Sequence, residues 1–445
     1  MATTLLSLDQ KLLETLGYWR YRHPVTTALA ASTSLVSTHL QKHRSTADHF
    51  NDWWVSIEDE ANIGEERLVS NDDGTSTLTV LSAWTAEAAS EKANFRLCPY
   101  KWGNRKRAII EAIKEVYPNL FLPLDDRTLI TGNILPNSHF EDWASSSYPD
   151  FYSVTSATAA QTTTAGLYRG QRGTSSALVT ASAADGYMSI TSKDYPRLLD
   201  LMDKDIDFKC WAYPSVADDA FLTIYTIQAD GTEQTLNSTT TCPASKWTLL
   251  ELEDQDINDD IVEIQLRFRV HTKDATCYFD AARVTGRDIR EYLLPDDFYN
   301  GSLLKVYIQT SGYSDDACDD ILPRYWERVF GYDIIDDGTY KYLYLPYLYG
   351  AERQIRLIGN KPLEDLTGTT EAAALALTIS LDGQRLNILT EYAAYYLLTI
   401  ESAEVSSEDR SHTEQQAAKH YYKYQTLKAT HGMPRPSGTM KVRVL

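Results

Sequence analysis

Two carboxylates stand where the sequence suggests joint chemistry. Glu141 closes the segment Asn133-Ile-Leu-Pro-Asn-Ser-His-Phe-Glu141, and Asp280 lies within Cys277-Tyr-Phe-Asp-Ala-Ala-Arg-Val284. If the first and last strands of one module are neighbours, such a pair can hold a hard cation such as Ca²⁺ through oxygen ligands. Aromatic side chains between and beside them offer flat faces for stacking on sugar rings: Trp143, Tyr148, Tyr152, Trp211, Tyr213 and Tyr225. Several fall on strand positions, where core packing is the competing use of such a ring.

Further acidic residues come in adjacent pairs: Asp125-Asp126, Asp218-Asp219, Asp259-Asp260, Asp296-Asp297, Asp315-Asp316, Asp319-Asp320 and Asp336-Asp337. Most sit where turns are expected, and there an Asp side chain satisfies local backbone donors. A glycosidase needs two carboxylates facing one another across a cleft, and nothing in the spacing selects such a pair. The chain contains no Gly-x-Ser-x-Gly, His-Glu-x-x-His, Walker or dinucleotide fingerprint. The expectation is a protein that is not an enzyme. The basic run Arg105-Lys106-Arg107 opens a helical segment, where the helix dipole disfavours cations. A solvated face accounts for it, as would contact with an acidic partner or DNA.

The 445 residues allow two to four domains. A net charge of −20 argues against a DNA-binding protein, although an acidic wall would let DNA pass without adhering. The 29 tyrosines and 9 tryptophans suit broad sheets and subunit interfaces as well as β cores. Five scattered cysteines, Cys98, Cys210, Cys242, Cys277 and Cys318, form no Cys-x-x-Cys pair and are expected to be reduced. The start shows no secretion-signal pattern, and no apolar run reaches the length of a membrane span.

The elements that must carry these residues follow from periodicity. Leu5–Leu16 has a short helical pattern, and Lys101–Tyr117 a stronger one, with Ile109, Ile113 and Val116 on one stripe. Glu65–Val69 and Ser76–Leu81 alternate about Asn71-Asp-Asp-Gly74, which predicts a hairpin. Residues 133–287 carry short alternating runs: Tyr187–Thr191, Asp207–Tyr213, Phe221–Ile227, Trp247–Leu252, Ile261–Val270 and Ala275–Asp280. That pattern predicts a sandwich or jelly roll, with Thr155–Thr164 as a loop or outer strand. Beyond it, Leu303–Ile308, Tyr340–Leu345 and Glu352–Gly359 read as strands, and Ile321–Phe330 as a helical turn. Gln384–Glu401 and Ser407–Gly432 predict a helical hairpin, and Met440–Leu445 is an alternating tail suited to adding to a sheet edge on a neighbour. The expected class is α+β and multidomain, a hairpin-and-helix core divided into 1–132 and 288–445 by an inserted β-sandwich at 133–287.

Two resemblances extend this. Asn133-x-Leu135-x-Asn137-x-x-Phe140-Glu141 with Tyr278-Phe279-Asp280-x-x-x-Val284 resembles carbohydrate-binding-module-like jelly rolls. That implies a glycan site, for which Trp143, Tyr148, Tyr152, Trp211 and Tyr213 are the candidates, and a structural calcium near Glu141 and Asp280; no convincing ligand-binding aromatic pair is evident. The flanks are similar to head-to-tail connector (adaptor or neck) proteins of tailed bacteriophages, through Glu66–Leu81, Arg105–Pro118, Arg353–Leu363, the tyrosine-rich helix pair and Met433-Pro-Arg-Pro. This resemblance implies a homo-oligomeric ring of about twelve copies. The ring would dock on the portal, with Arg105, Lys106 and Arg107 as candidate portal or channel contacts. It would pass double-stranded DNA without sequence-specific binding and seat the next neck or tail protein. Such a protein is assembled in the host cytoplasm and resides in the virion. The alternatives are a tail or baseplate protein with a host-glycan module and a stand-alone carbohydrate-binding protein.

Overall fold

The computed structural model describes residues 2–433 apart from 43–45, 61, 87, 89–91, 170–172, 240, 287, 300, 311–324, 369–370, 382 and 404–406. Its helices are α1 (Leu5–Leu16), α2 (Trp102–Val116), α3 (Glu371–Ala376), α4 (Gly383–Ser402) and α5 (Ser407–His431). The chain forms two compact units. One joins Met1–Leu122 to Pro362–Arg435, and the other contains Pro123–Lys361. The boundaries expected near 133 and 287 therefore fall inside the second unit.

In the first unit both arms of the chain build one body. Ala2–Thr4 pairs antiparallel with Thr378–Ser380. Thr4 caps α1 by accepting the Ser7 N–H, and Gly17 ends it in the left-handed conformation (φ 90°) that favours glycine. Leu5, Leu8 and Leu12 of α1 share a core with Ile109, Ile113 and Val116 of α2 and with Leu389, Ala393 and Leu397 of α4. The hairpin Glu66–Asp72 with Thr77–Val80 belongs to a six-stranded sheet whose apolar side holds Phe50, Val55, Val69, Leu78, Phe95 and Leu97. At the hairpin turn, Gly74 (φ 74°) donates its N–H to Asp72 Oδ1 at 2.9 Å.

α5 packs on α4 through a narrow stripe. Ala417, His420 and Tyr424 are buried, whereas Ala418, Tyr421 and Tyr422 are exposed. His420 Nδ1 lies 2.6 Å from Glu391 Oε2, and rings of the two helices meet in the pairs Tyr392–Tyr424 (5.0 Å) and Tyr395–Tyr421 (4.8 Å). Outside this stripe the 25-residue helix is polar almost all round.

Arg105 corrects another expectation. It is fully buried rather than part of a surface patch. Its Nη1 donates to Asp9 Oδ2 at 2.5 Å, its Nη2 donates to Ser56 Oγ at 2.8 Å, and Glu66 Oε1 lies 3.5 Å away. The helical period accounts for this: Arg105 shares its face with Trp102, Ala108, Ile109 and Ala112, while Lys106 is half-buried and Arg107 exposed. Arg105 thus ties α2 to α1 and to the sheet.

The second unit contains a β-sandwich of two five-stranded antiparallel sheets. One has the order Ala157–Thr162, Ser176–Ala181, Thr276–Thr285, Asp205–Pro214, Thr248–Asp256. The other has the order Glu233–Asn237, Ala220–Gln228, Ile261–Val270, Gly186–Thr191, Ser153–Thr155. Inward positions alternate strictly from Ile264 to Val270, where Ile264, Leu266, Phe268 and Val270 are all buried. Thr155–Thr164 resolves into the end of one edge strand, Ser153–Thr155, and the whole of another, Ala157–Thr162. The strands Ser176–Ala181 and Glu233–Asn237 lack an apolar alternation strong enough to predict them.

The same unit holds a three-stranded sheet, Glu291–Leu293, Lys341–Tyr344, Asp333–Asp336, and a four-stranded one, Trp326–Val329, Ser302–Gln309, Ile355–Lys361, Leu122–Asp126. The helical turn expected at Ile321–Phe330 is instead a strand over Trp326–Val329, since Val329 pairs with Val306 and buries beside it. Residues 321–324 lie outside the described residues, as do the Asp315-Asp316 and Asp319-Asp320 pairs and the tail 440–445.

Removing the Arg105 side chain leaves the Asp9 and Glu66 carboxylates in a buried site without their cation. Arg105→Ala is expected to destabilise the protein by roughly 3–5 kcal/mol in urea unfolding. A loss below about 1 kcal/mol would mean that the pair is not structural.

Candidate functional site

The outer surface of the second sheet carries a connected polar–aromatic arrangement. Along Ile261–Val270 the residues that alternate with the buried ones are Glu263, Gln265, Arg267 and Arg269, all half-buried. Tyr225 stands opposite Gln265 on one neighbouring strand, and Tyr187 stands opposite Arg269 on the other. The diagonal between strands brings the Arg267 guanidinium to 4.2 Å from the Tyr225 ring centre and 4.8 Å from that of Tyr187. Arg267 Nε donates to Gln265 Oε1 at 2.6 Å, and Gln265 Nε2 donates to Ser189 Oγ at 3.0 Å.

The polar row continues along the sheet. Arg269 donates to Asn237 Oδ1 (3.2 Å) and Asp185 Oδ1 (2.9 Å), and its guanidinium lies 5.7 Å from the Phe221 ring centre. A hydrogen bond to Glu233 pushes the Tyr225 phenol above its ordinary value. Two phenol faces flanking an oriented guanidinium, with amide and carboxylate groups in reach, suit a ligand that is apolar on its ring faces and rich in hydroxyls at its edges. Sequence inspection noted Tyr225 but missed Tyr187, Gln265 and Arg267. The available signal was the run of long polar residues on the outward positions of Ile261–Val270.

The five aromatic residues expected to contact a glycan do not converge. Tyr152 is in the interior, with its hydroxyl donating to Pro136 O at 3.2 Å. Trp143 packs against the same core and donates its indole N–H to Phe140 O at 2.7 Å. Tyr148 is exposed. Trp211 and Tyr213 occupy outward positions of the other sheet. There the Arg169 guanidinium covers Trp211 at 3.9 Å, and Tyr213 sits between Trp247 (5.5 Å) and Tyr278 (5.9 Å). Trp247 in turn donates to Gly166 O at 3.1 Å, so the loop bearing Gly166 and Arg169 is tied down over this aromatic group.

Glu141 and Asp280 grip two ends of one loop. Glu141 Oε1 accepts the N–H groups of Thr174 (2.7 Å) and Ser175 (2.9 Å), and its Oε2 accepts the Thr174 hydroxyl (2.9 Å). Asp280 Oδ2 accepts the Arg169 N–H and its Oδ1 the Ala281 N–H, both at 2.6 Å, while His139 Nδ1 lies 3.4 Å from Oδ1. Calcium takes six to eight oxygen ligands. Among the described residues no group of three or more His, Cys, Asp or Glu is disposed to hold an ion. Two carboxylates committed to N–H donors do not fit that requirement; here they anchor the loop.

Near Glu141, a cavity of about 450 Å³ is lined by Asp125, Asp126, Asp142, Asp297 and Thr174, among others. Asp125 is held below the ordinary carboxylate range by hydrogen bonds from Arg356 and Arg127. Burial raises Asp126 to about 6, and burial with the charges of Asp296, Asp126 and Asp150 raises Asp142 to about 7. Of the other acidic pairs, Asp336-Asp337 serves a turn, as expected: Asp336 accepts the Gly338 N–H at 2.9 Å, and Asp337 accepts that of Thr339 at 2.8 Å.

Carboxyls whose folded values are raised stabilise the fold while protonated and lose that contribution as pH rises through those values. The melting temperature is therefore expected to fall between about pH 4 and pH 7 through Asp126 and Asp142, and Asp142→Asn to flatten this dependence; a profile rising over that window in both proteins would overturn the assignment. Glu141→Gln is expected to cost about 1–3 kcal/mol through weakened acceptance of the loop N–H groups. Calcium or a chelator should leave the melting temperature of the unaltered protein unchanged, and a calcium-dependent rise would restore the ion site.

No protein-family model and no curated protein matches the chain. Among solved structures it is similar to the C-terminal family 22 carbohydrate-binding module of Clostridium thermocellum Xyn10B, at 15% identity and TM-score 0.28 over 35% of this chain and 95% of that one. It is also similar to the CBM22-1 xylan-binding domain of Paenibacillus barcinonensis Xyn10C, at 14% identity and TM-score 0.27 over 36% of this chain and 94% of that one. A third similar structure is the enzymatically active domain of bacteriophage CBA120 tailspike protein 4, at 11% identity and TM-score 0.27 over 35% of this chain and 22% of that one. The sandwich itself is established by its own strand pairing.

Proposed function

We propose that this chain is a non-catalytic structural protein of a virus particle, with a β-sandwich that binds glycan on the outer face of its second sheet. The observation that carries the binding reading is the Tyr187–Arg267–Tyr225 stack, with the guanidinium 4.8 Å and 4.2 Å from the two ring centres. A pyranose presents an apolar C–H face to such rings and hydroxyls to Gln265, Asn237 and Asp185.

The finer reading for the other unit is the head-to-tail connector: a ring below the portal that continues the DNA channel and docks the next tail component. The specific observation in its favour is α5, a 25-residue helix that buries only a narrow stripe on α4 and leaves Tyr422 76% exposed. Its exposed tyrosines, Tyr421 and Tyr422, are aromatic surface that a neighbouring copy in a closed ring would cover. The basic run contributes only Lys106 and Arg107 to this reading, since Arg105 is inside.

Two measurements on the full-length protein separate these parts. Glycan-array binding followed by calorimetry is expected to find a polysaccharide ligand whose affinity falls at least tenfold in Arg267→Ala and in Tyr187→Ala. Absence of any glycan ligand would remove the binding reading. Mass photometry is expected to show rings of about a dozen copies, and a persistent monomer at micromolar concentration would remove the connector reading.

A further inference from the structure

Among the described residues, the strand Asp333–Asp336 is the edge of its three-stranded sheet, with Lys341–Tyr344 its one strand partner. All four of its residues are exposed, including Ile334 (40%) and Ile335 (41%), which point to opposite faces. An edge bare on both faces and apolar at its centre is a template for another strand. Its charge is acidic: Asp333 and Asp336 bracket the isoleucines and Asp337 follows. At the start of the strand the Ile334 N–H is bonded to the Asp333 carboxylate at 2.9 Å, an internal satisfaction that an incoming carbonyl can replace.

The chain also contains a segment with the complementary pattern. Met440-Lys-Val-Arg-Val-Leu445 alternates apolar residues with Lys441 and Arg443 and has no acidic residue. In the antiparallel register that sets Val442 opposite Ile335, Lys441 falls opposite Asp336 and Val444 opposite Asp333. This register directly opposes one pair of unlike charges, Lys441 and Asp336, and one apolar pair, Val442 and Ile335, both of which favour it. It places Arg443 opposite Ile334 beside Asp333. We propose that residues 440–445 of one copy add as a fourth strand to the Asp333–Asp336 edge of a neighbouring copy. Main-chain hydrogen bonds would supply the affinity, and the Asp336–Lys441 pairing the register. This rests on the assembly reading above, since a head-to-tail exchange of this kind links successive members of a ring.

The test uses the full-length protein with Cys318→Ser, since Cys98, Cys210, Cys242 and Cys277 are buried. An affinity-tagged Ile335→Cys chain and an untagged Val442→Cys chain are co-expressed and mildly oxidised. A mixed disulfide dimer on a non-reducing gel is expected. Its yield should drop at least tenfold when Lys441→Glu and Arg443→Glu are added, and recover when Asp333→Lys and Asp336→Lys are added as well. Rings that form without the mixed crosslink would overturn this inference and leave the connector reading intact. In a chain that carries both Ile335→Cys and Val442→Cys, a crosslink formed only within single chains would also overturn it, and an unaltered protein that stays monomeric would overturn both readings.

Discussion

The alternation of Ile261–Val270 is the constraint on which the second unit depends. On its inward side Phe268 is the hub of an aromatic core, with ring centres of Phe208, Phe140, Phe279 and Tyr152 at 5.4, 5.6, 5.6 and 6.0 Å in edge-on packing. Its outward side carries Gln265, Arg267 and Arg269. Because successive side chains of a strand point to opposite faces, the register that buries Phe268 is the register that presents Arg267. A one-residue slip would expel the hub and destroy the face together. Core and candidate site are two consequences of a single pairing.

The first unit has a corresponding constraint of a different kind. Arg105 is a buried cation that reaches Asp9 on α1, Ser56 on the sheet and, more distantly, Glu66 on the hairpin. Burial raises the Asp9 and Glu66 carboxyls above their ordinary values even with the guanidinium beside them. Desolvation offsets much of the attraction in an ion pair of this sort, so the cost of removing one partner exceeds the pair's net contribution to stability. The pair fixes which face of α2 meets α1, and the apolar stripe then fills the remaining space.

Much of the fold was legible residue by residue. α1 and the strand Ile261–Val270 match their expected bounds, and the 66–80 hairpin, α2, α4 and α5 fall within a few residues of theirs. Each is announced by its own period or by turn residues, which are local signals. The strand at Trp326–Val329 was misread as helical because a four-residue strand offers too few positions to separate the two periods. Ser176–Ala181 and Glu233–Asn237 were missed because small or polar strands borrow their stability from partners far away in sequence.

The candidate site divides the same way. The sequence by itself determined that a sandwich occupies the middle of the chain, that Glu141 and Asp280 serve its first and last segments, and that aromatic residues populate its strands. Only the tertiary structure decided which of those rings face outward together, since Tyr187, Tyr225 and Arg267 become neighbours solely through the pairing of three strands. It also moved Tyr152 into the core, set the Arg169 loop over Trp211 and took Arg105 from the surface into an ion pair. The physical reason is common to all of these. Periodicity fixes on which side of its own element a residue lies, but whether that side meets solvent, a partner charge or another ring is set by elements distant in the chain.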